Sequence, residues 1–225
     1  MLMQTATAQE AIISSIVARP DALQIAERVS AIIAEEQRRR LAFYNDVTEE
    51  EKAEFIEGEI IVHSPVMKRH NDCLGNIVSI LKAYVFEHQL GFIGFEKIMV
   101  RLTRNDFEPD LCFFKQEKAK DFEARQTLFP APDLVVEVLS EGTVARDRGI
   151  KYDDYERHGV LEYWIADPDA RTIEQYLLDE SDKYQLRTKS DSGTLVSRAI
   201  EGLVLPIAAV FDEAQGHEFI RKVYR

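Results

Sequence analysis

Apolar and polar positions alternate along this chain in two rhythms, one helical and one strand-like, and together they predict a mixed α/β protein. Residues 10–41 carry Leu23, Ala26, Val29 or Ser30, and Ile33 as a thin apolar stripe at helical spacing, closed by Arg38, Arg39 and Arg40 where cations suit a helix C-terminus. That stripe would serve equally as a dimer contact or as a face packed on its own domain. Thr48-Glu49-Glu50-Glu51 has the form of a capping box and predicts a short helix that stops near Gly58. Glu59 to Ser64 (EIIVHS) then reads as a strand ended by Pro65. From His70 to Gln89, residues Cys73, Leu74, Ile77, Ile80, Leu81, Tyr84 and Val85 share one helical face, with Gly91 as the stop. Strands are expected at 92–102, 109–115 and 133–139, then a helix from Thr143 to His158 ending at Gly159. A strand at 161–166, a turn at Asp167-Pro168-Asp169 and a strand at 171–178 follow, with further short strands to about Phe211. The core from 70 to 166 is thus α-β-β-β-α-β: three strands, a crossover helix and a fourth strand in a mixed sheet. The expected division is a helical arm at 1–45 and one domain at 46–225 with extra C-terminal strands.

The segment APDLVVEVLS, 131–140, is apolar from Leu134 to Leu139 except at Glu137, as a central strand buried on both faces should be. A carboxylate there is costly unless something positive meets it, whether a metal, a lysine or an arginine. Alternation places Asp133, Val135, Glu137 and Leu139 on one face. Asp110, after Pro109, opens a strand of similar character, DLCFF. Neighbouring strands lie about 4.8 Å apart, so carboxylates on adjacent strands can converge on one hard cation. Two carboxylates completed by water and phosphate oxygens suit Mg²⁺ (or Mn²⁺), which keeps several waters. Zinc is disfavoured, because neither the two cysteines nor the five histidines are spaced as its ligands.

Composition is that of an ordinary globular chain, 45% hydrophobic and 30% charged over 225 residues. No apolar run reaches the roughly 18 residues of a membrane span, and the first residues lack the pattern of a secretory signal. Cys73 and Cys112 cannot make a disulfide framework, so a cytoplasmic setting is expected. The net charge of −12 runs against nucleic-acid binding, whose affinity comes from neutralised phosphates. It says little about one groove, however, and a bound divalent cation inverts the local sign of a carboxylate site.

The pattern PD…E on adjacent strands of an αβββαβ core resembles the PD-(D/E)XK nucleases. More closely, the chain is similar to a bacterial restriction-endonuclease-like family of that superfamily, classed as a domain of unknown function. The likeness runs from about Glu54 to Phe211 and rests on EFIEGEIIVHSP, on His70, on EPDLCFF, and above all on PDLVVEVLSEGTVARDRGIKYDDYERHGVLEYWIADPDARTIEQY. It implies that Asp110 and Glu137 match the motif's acids. The superfamily's usual lysine position is Leu139 here, and the resemblance assigns that lysine to Lys151 on the next helix. By implication the protein is a Mg²⁺-dependent endonuclease acting on DNA, with Asp110, Glu137 and the carbonyl of Val138 on the metal and Lys151 beside the attacking water. Glu54 and His70 match family positions and are candidates for supporting roles. Asp147 and Tyr155 lie one helical turn either side of Lys151 and can share its face. Arg146 and Arg148 are candidate phosphate contacts, and two symmetric sites for cutting a duplex imply a homodimer. The competing reading is a nuclease fold without catalysis, kept as a binding or regulatory protein.

Overall fold

The computed structural model describes residues 2–48 and 51–225, opening with helices α1 (Leu2–Val17) and α2 (Ala22–Asp46). A hairpin of β1 (Ala53–Ile56) and β2 (Glu59–Val62) leads to α3 (Lys68–Glu87). Strands β3 (Gly91–Phe95), β4 (Met99–Arg101), β5 (Asp106–Phe107) and β6 (Leu111–Lys115) follow, then α4 (Gln116–Ala119) and β7 (Leu128–Phe129). Next come β8 (Leu134–Val138), helices α5 (Val144–Asp147) and α6 (Ile150–Arg157), and strands β9 (Glu162–Asp167), β10 (Thr172–Leu178) and β11 (Tyr184–Ser190). The chain closes with β12 (Thr194–Val196), β13 (Val204–Pro206), α7 (Ile207–Phe211) and α8 (Glu213–Val223).

The main sheet has the order β11-β10-β9-β8-β6-β3, and β8 runs parallel to β9 through the α5–α6 crossover. Helix α3 with β3, β6, β8, α5–α6 and β9 realises the αβββαβ core that the hydrophobic pattern predicts. Because side chains alternate across a strand, each sheet face builds its own core. Leu134, Val136, Val138 and Trp164 face α3, α7 and α8. Val135, Leu139, Tyr163 and Ile165 face Tyr155 of α6 and Phe107 of the second sheet, whose order is β2-β1-β5-β4-β7. Side chains of the size of Tyr163 and Trp164, both fully buried, stabilise by roughly 1.5–3 kcal/mol each.

The β12–β13 ribbon is pinned to the main sheet by one buried carboxylate. Glu162 Oε1 accepts from Trp164 Nε1 and Gln175 Nε2, both at 2.6 Å. Its Oε2 accepts from Ser197 Oγ at 2.7 Å and from the backbone N–H groups of Arg198 and Ala199 at 2.8 Å.

The structure departs from the sequence pattern at five places. The N-terminal helix is two helices, interrupted around Pro20, which cannot donate an interior helix bond. The capping-box helix is not formed at 53–58, while Glu49 and Glu50 lie outside the described residues. Instead all four residues of β1 are buried, and Glu57 (φ 49°) with Gly58 (φ 86°) makes the left-handed two-residue turn that hairpins favour. The strand expected at 92–102 breaks at Glu96 (φ 61°), which sends β3 and β4 to different sheets. The helix expected at 143–158 breaks at Gly149, where an added Cβ would lie 2.7 Å from the Ala145 carbonyl oxygen. Residues 207–211 are helical rather than extended, and α8, capped by Asp212 accepting from Gln215 N, follows. Among the described residues, no helix is long and apolar enough to cross a membrane.

Candidate active site

Register brings the two predicted acids together. Strands β6 and β8 are antiparallel with Leu111 opposite Val136, so one further step sets Asp110 opposite Glu137. The pairing is locked by backbone donors: Val138 N donates to Asp110 Oδ2 at 2.8 Å and Asp110 N to Glu137 Oε2 at 3.4 Å. Both carboxylates stand on the sheet face that α6 covers.

Lys151 reaches them from that helix. Its buried ammonium lies 3.0 Å from Glu137 Oε1, 2.9 Å from Glu54 Oε1 and 3.5 Å from Asp147 Oδ1. Tyr155 donates to Glu137 Oε1 at 3.3 Å from the turn after Lys151. Tyr163, fully buried in the core, donates its hydroxyl to the Asp147 carbonyl at 2.9 Å, fixing the end of α5 just before the Gly149 break. Glu54 Oε1 further accepts from Glu108 N at 2.9 Å, and His63 Nε2 stands 3.0 Å from Glu54 Oε2 without completing a hydrogen bond.

One ammonium cannot neutralise three carboxylates, and the protonation states divide accordingly. Burial alone would raise Glu54, but Lys151 and His63 outweigh it and hold its pKa at about 2. Burial drives Glu137 up to about 8, against the pull of Lys151 and with the push of Asp147, Asp110 and Glu54. Burial also raises Asp147. Lys151 is kept charged well above its ordinary range, because the surrounding carboxylates overcome the cost of burying it. Burial brings nearby Glu108 to about 7.

Asp110 has a different set of partners. Burial would raise it, but His70, with Nε2 3.3 Å from Oδ2, and Lys52, with Nζ 2.8 Å from Oδ1, hold its pKa well below the usual range. Asp110, Glu137, Val138, Asp147, Lys151, His70 and Arg146 all line one cleft of about 820 Å³, together with Lys52, His63 and Arg69. The structure therefore gathers Asp110, Glu137, Lys151, Glu54, His70, Asp147 and Tyr155. It does not bring Arg148 into the cleft: that guanidinium is held bidentately by Glu174 at 2.7 and 2.8 Å. Asp133 is also elsewhere, accepting from Lys115 N at 2.8 Å and pairing with Lys118 at the start of β8. Sequence reasoning missed Lys52 and His63. A strand beginning at Lys52 would have shown Lys52 and Glu54 two residues apart on one face, and the helical reading of that segment hid it.

The donor set fits a hard divalent cation held by few protein ligands. Glu54, Asp110, Glu137 and Asp147 crowd around the ammonium groups of Lys52 and Lys151, with His63 beside Glu54 and His70 beside Asp110. Glu54 Oε2 and Asp147 Oδ1 complete no hydrogen bond, standing 3.0 Å from His63 Nε2 and 3.5 Å from the Lys151 ammonium, so both retain lone pairs that a bound cation could use. Among the described residues no group of three or more His, Cys, Asp or Glu side chains is arranged to hold a metal ion. The fit therefore rests on two carboxylates, those of Asp110 and Glu137, for an ion that keeps several waters.

The strand order, the crossover helix and the facing carboxylates define a restriction-endonuclease-like fold. The chain belongs to the Uma2 family, described as "Putative restriction endonuclease", whose model matches residues 35–208. It superposes with TM-score 0.65 on a crystal structure described as a putative nuclease belonging to DUF820 from Anabaena variabilis, at 20% identity over 79% of this chain and 96% of that one, a likeness of fold. The uncharacterized protein sll1609 of Synechocystis is 28% identical over 128 residues, 56% of this chain and 72% of that protein.

Proposed function

We propose that this chain is a metal-dependent endonuclease that hydrolyses phosphodiester bonds of DNA, with Mg²⁺ or Mn²⁺ as cofactor. The observation that carries the reading is the register-locked Asp110–Glu137 pair at the floor of an open cleft, with the buried Lys151 ammonium against it. Asp110, Glu137 and the Val138 carbonyl are the metal-holding groups. When bound, the ion supplies Lewis acidity toward a phosphate oxygen and toward water. Lys151 stays protonated, so its part is to orient Glu137 and stabilise charge developing on the phosphate rather than to take a proton. Tyr155 and Asp147 hold Lys151 and Glu137 in position. Arg146 lines the cleft with its buried Nε unpartnered, which supports its reading as the phosphate contact.

Duplex cleavage needs two sites, and the arm at 1–45 is the proposed homodimer contact: Leu23, Val29, Ile32 and Ile33 are exposed on α2. Free, buried Cys73 and Cys112 agree with a cytoplasmic setting. One observation favours the second reading, a fold without catalysis: Lys52 stands on Asp110 where a metal would sit. Plasmid cleavage with Mg²⁺ or Mn²⁺, run beside Asp110→Ala and Lys151→Ala, tests the proposal. Metal-dependent nicking lost in both folded variants is expected. No cleavage over a range of metals and nucleic acids would overturn it in favour of the binding or regulatory protein.

A further inference from the structure

Asp110 has one carboxylate oxygen committed inward and one turned to the cleft. Oδ2 accepts the Val138 N–H at 2.8 Å and lies beside His70. Oδ1 carries Lys52 at 2.8 Å. The two lysines of the site differ in depth: the side chain of Lys52 is 19% exposed and that of Lys151 only 2%. The Lys52 backbone is pinned, its carbonyl accepting from His63 N at 2.9 Å, so the ammonium can leave Asp110 by side-chain rotation alone.

We propose that Lys52 is a resident counter-cation that occupies Asp110 Oδ1 in the metal-free protein and moves out into the cleft when a divalent cation takes that oxygen. The inference rests on the metal-dependent reading of the site. An ammonium and a divalent ion on one carboxylate oxygen would be like charges a few ångströms apart in a poorly solvated place, so one excludes the other. Lys52 thus keeps a buried carboxylate from being left unpaired before metal arrives. Once displaced, it adds a positive charge to the cleft that already presents Arg146 and Arg69, where the phosphate of a substrate would enter. Metal loading and preparation of the cleft for an anion become one event. A merely structural ion pair predicts otherwise: removing Lys52 would loosen the segment and leave metal affinity unchanged or lower.

Mn²⁺ binding measured by calorimetry on the parent, Lys52→Met, Lys52→Arg and Asp110→Asn tests this. Lys52→Met should bind Mn²⁺ at least tenfold more tightly than the parent, and Lys52→Arg close to the parent. In the unmutated protein, Lys52 should become several-fold more reactive toward an amine-acylating reagent, read by mass spectrometry, when Mn²⁺ is saturating. That second measurement decides the matter by itself if Lys52→Met does not fold. Parent binding that Asp110→Asn abolishes, with Lys52→Met no tighter and Lys52 reactivity unmoved, overturns this inference and leaves the metal site standing. No Mn²⁺ binding dependent on Asp110 in either parent or Lys52→Met overturns both.

Discussion

Two buried glutamates, Glu137 on β8 and Glu162 on β9, sit on neighbouring parallel strands and project from opposite faces of the sheet. Glu162 is surrounded by five neutral donors, three from side chains and two from backbone N–H groups, and no other carboxylate shares them. Glu137 shares one lysine with Glu54 and Asp147 and faces Asp110 across the strand pair. The first arrangement is complete within the chain and ties a ribbon to the sheet. The second crowds carboxylates around two lysines, pushes Glu137 up to about 8, and leaves Glu54 Oε2 and Asp147 Oδ1 in ion pairs that complete no hydrogen bond. The contrast teaches that burial of a carboxylate does not mark a functional site. Carboxylates crowded in a cleft, with pKa values pushed apart, are the better pointer to a candidate one.

The widest separation between the two regions should come from isosteric substitutions. Glu137→Gln should lower cleavage by about 10³-fold, equivalent to about 4 kcal/mol of lost transition-state stabilisation. It should leave metal-free stability within about 1 kcal/mol, since Glu137 already holds its proton at neutral pH. Glu162→Gln should do the reverse, costing about 3 kcal/mol in urea denaturation because it sets an amide NH₂ among donors, with cleavage per folded molecule unchanged. Equal effects on both quantities from both variants would erase the distinction.

A pH experiment sharpens it next. A metal ligand must be deprotonated, so Mn²⁺ affinity should rise up to about tenfold per pH unit below 8 and flatten above it, and Glu137→Gln should remove the slope. In the metal-free protein the two site glutamates act with opposite signs. Glu137, raised from 4.5 to about 8, contributes stability that is full below 4.5 and lost as pH rises through 8. Glu54, lowered from 4.5 to about 2, contributes stability present above 4.5 and lost as pH falls toward 2. Denaturation midpoints at pH 3, 6 and 9 should therefore lose their acid-side fall in part with Glu54→Gln and their alkaline-side fall in part with Glu137→Gln.

The smallest effects distinguish two neighbouring arginines. Arg148→Ala breaks a half-exposed pair with Glu174 and should cost only about 0.5–1 kcal/mol, with DNA affinity unmoved. Arg146→Ala should leave stability alone, weaken DNA binding several-fold and reduce its salt dependence, as loss of one phosphate contact does. Fluorescence anisotropy over a salt series reads both.

Much of the fold was legible because it depends on local periodicity. The helical face from Cys73 to Val85, the apolar run of β8 and the glycine stop at Gly159 are properties of short segments, and the structure reproduces them. Glu137 stood out as a charge in a strand with no solvent face, and Asp110 as its partner by strand spacing. The sequence could not show the hairpin at 53–62, because acidic residues ahead of a short apolar run satisfy a helix cap and a strand alike. It could not show that Lys52 would lie on Asp110, or that Arg148 would turn to Glu174, because both follow from which elements pack side by side.

Alternation and the cost of burying charge were enough to read the αβββαβ order of the core, the two buried faces of β8 and the exceptional position of Glu137 in that strand. The charge balance of the cleft came from how distant segments pack. Glu54 comes from a different sheet, Lys151 from beyond a helix break at Gly149, and Lys52 from the segment leading into the hairpin. Electrostatic interaction depends on distance through space, and a one-dimensional pattern carries no measure of that distance.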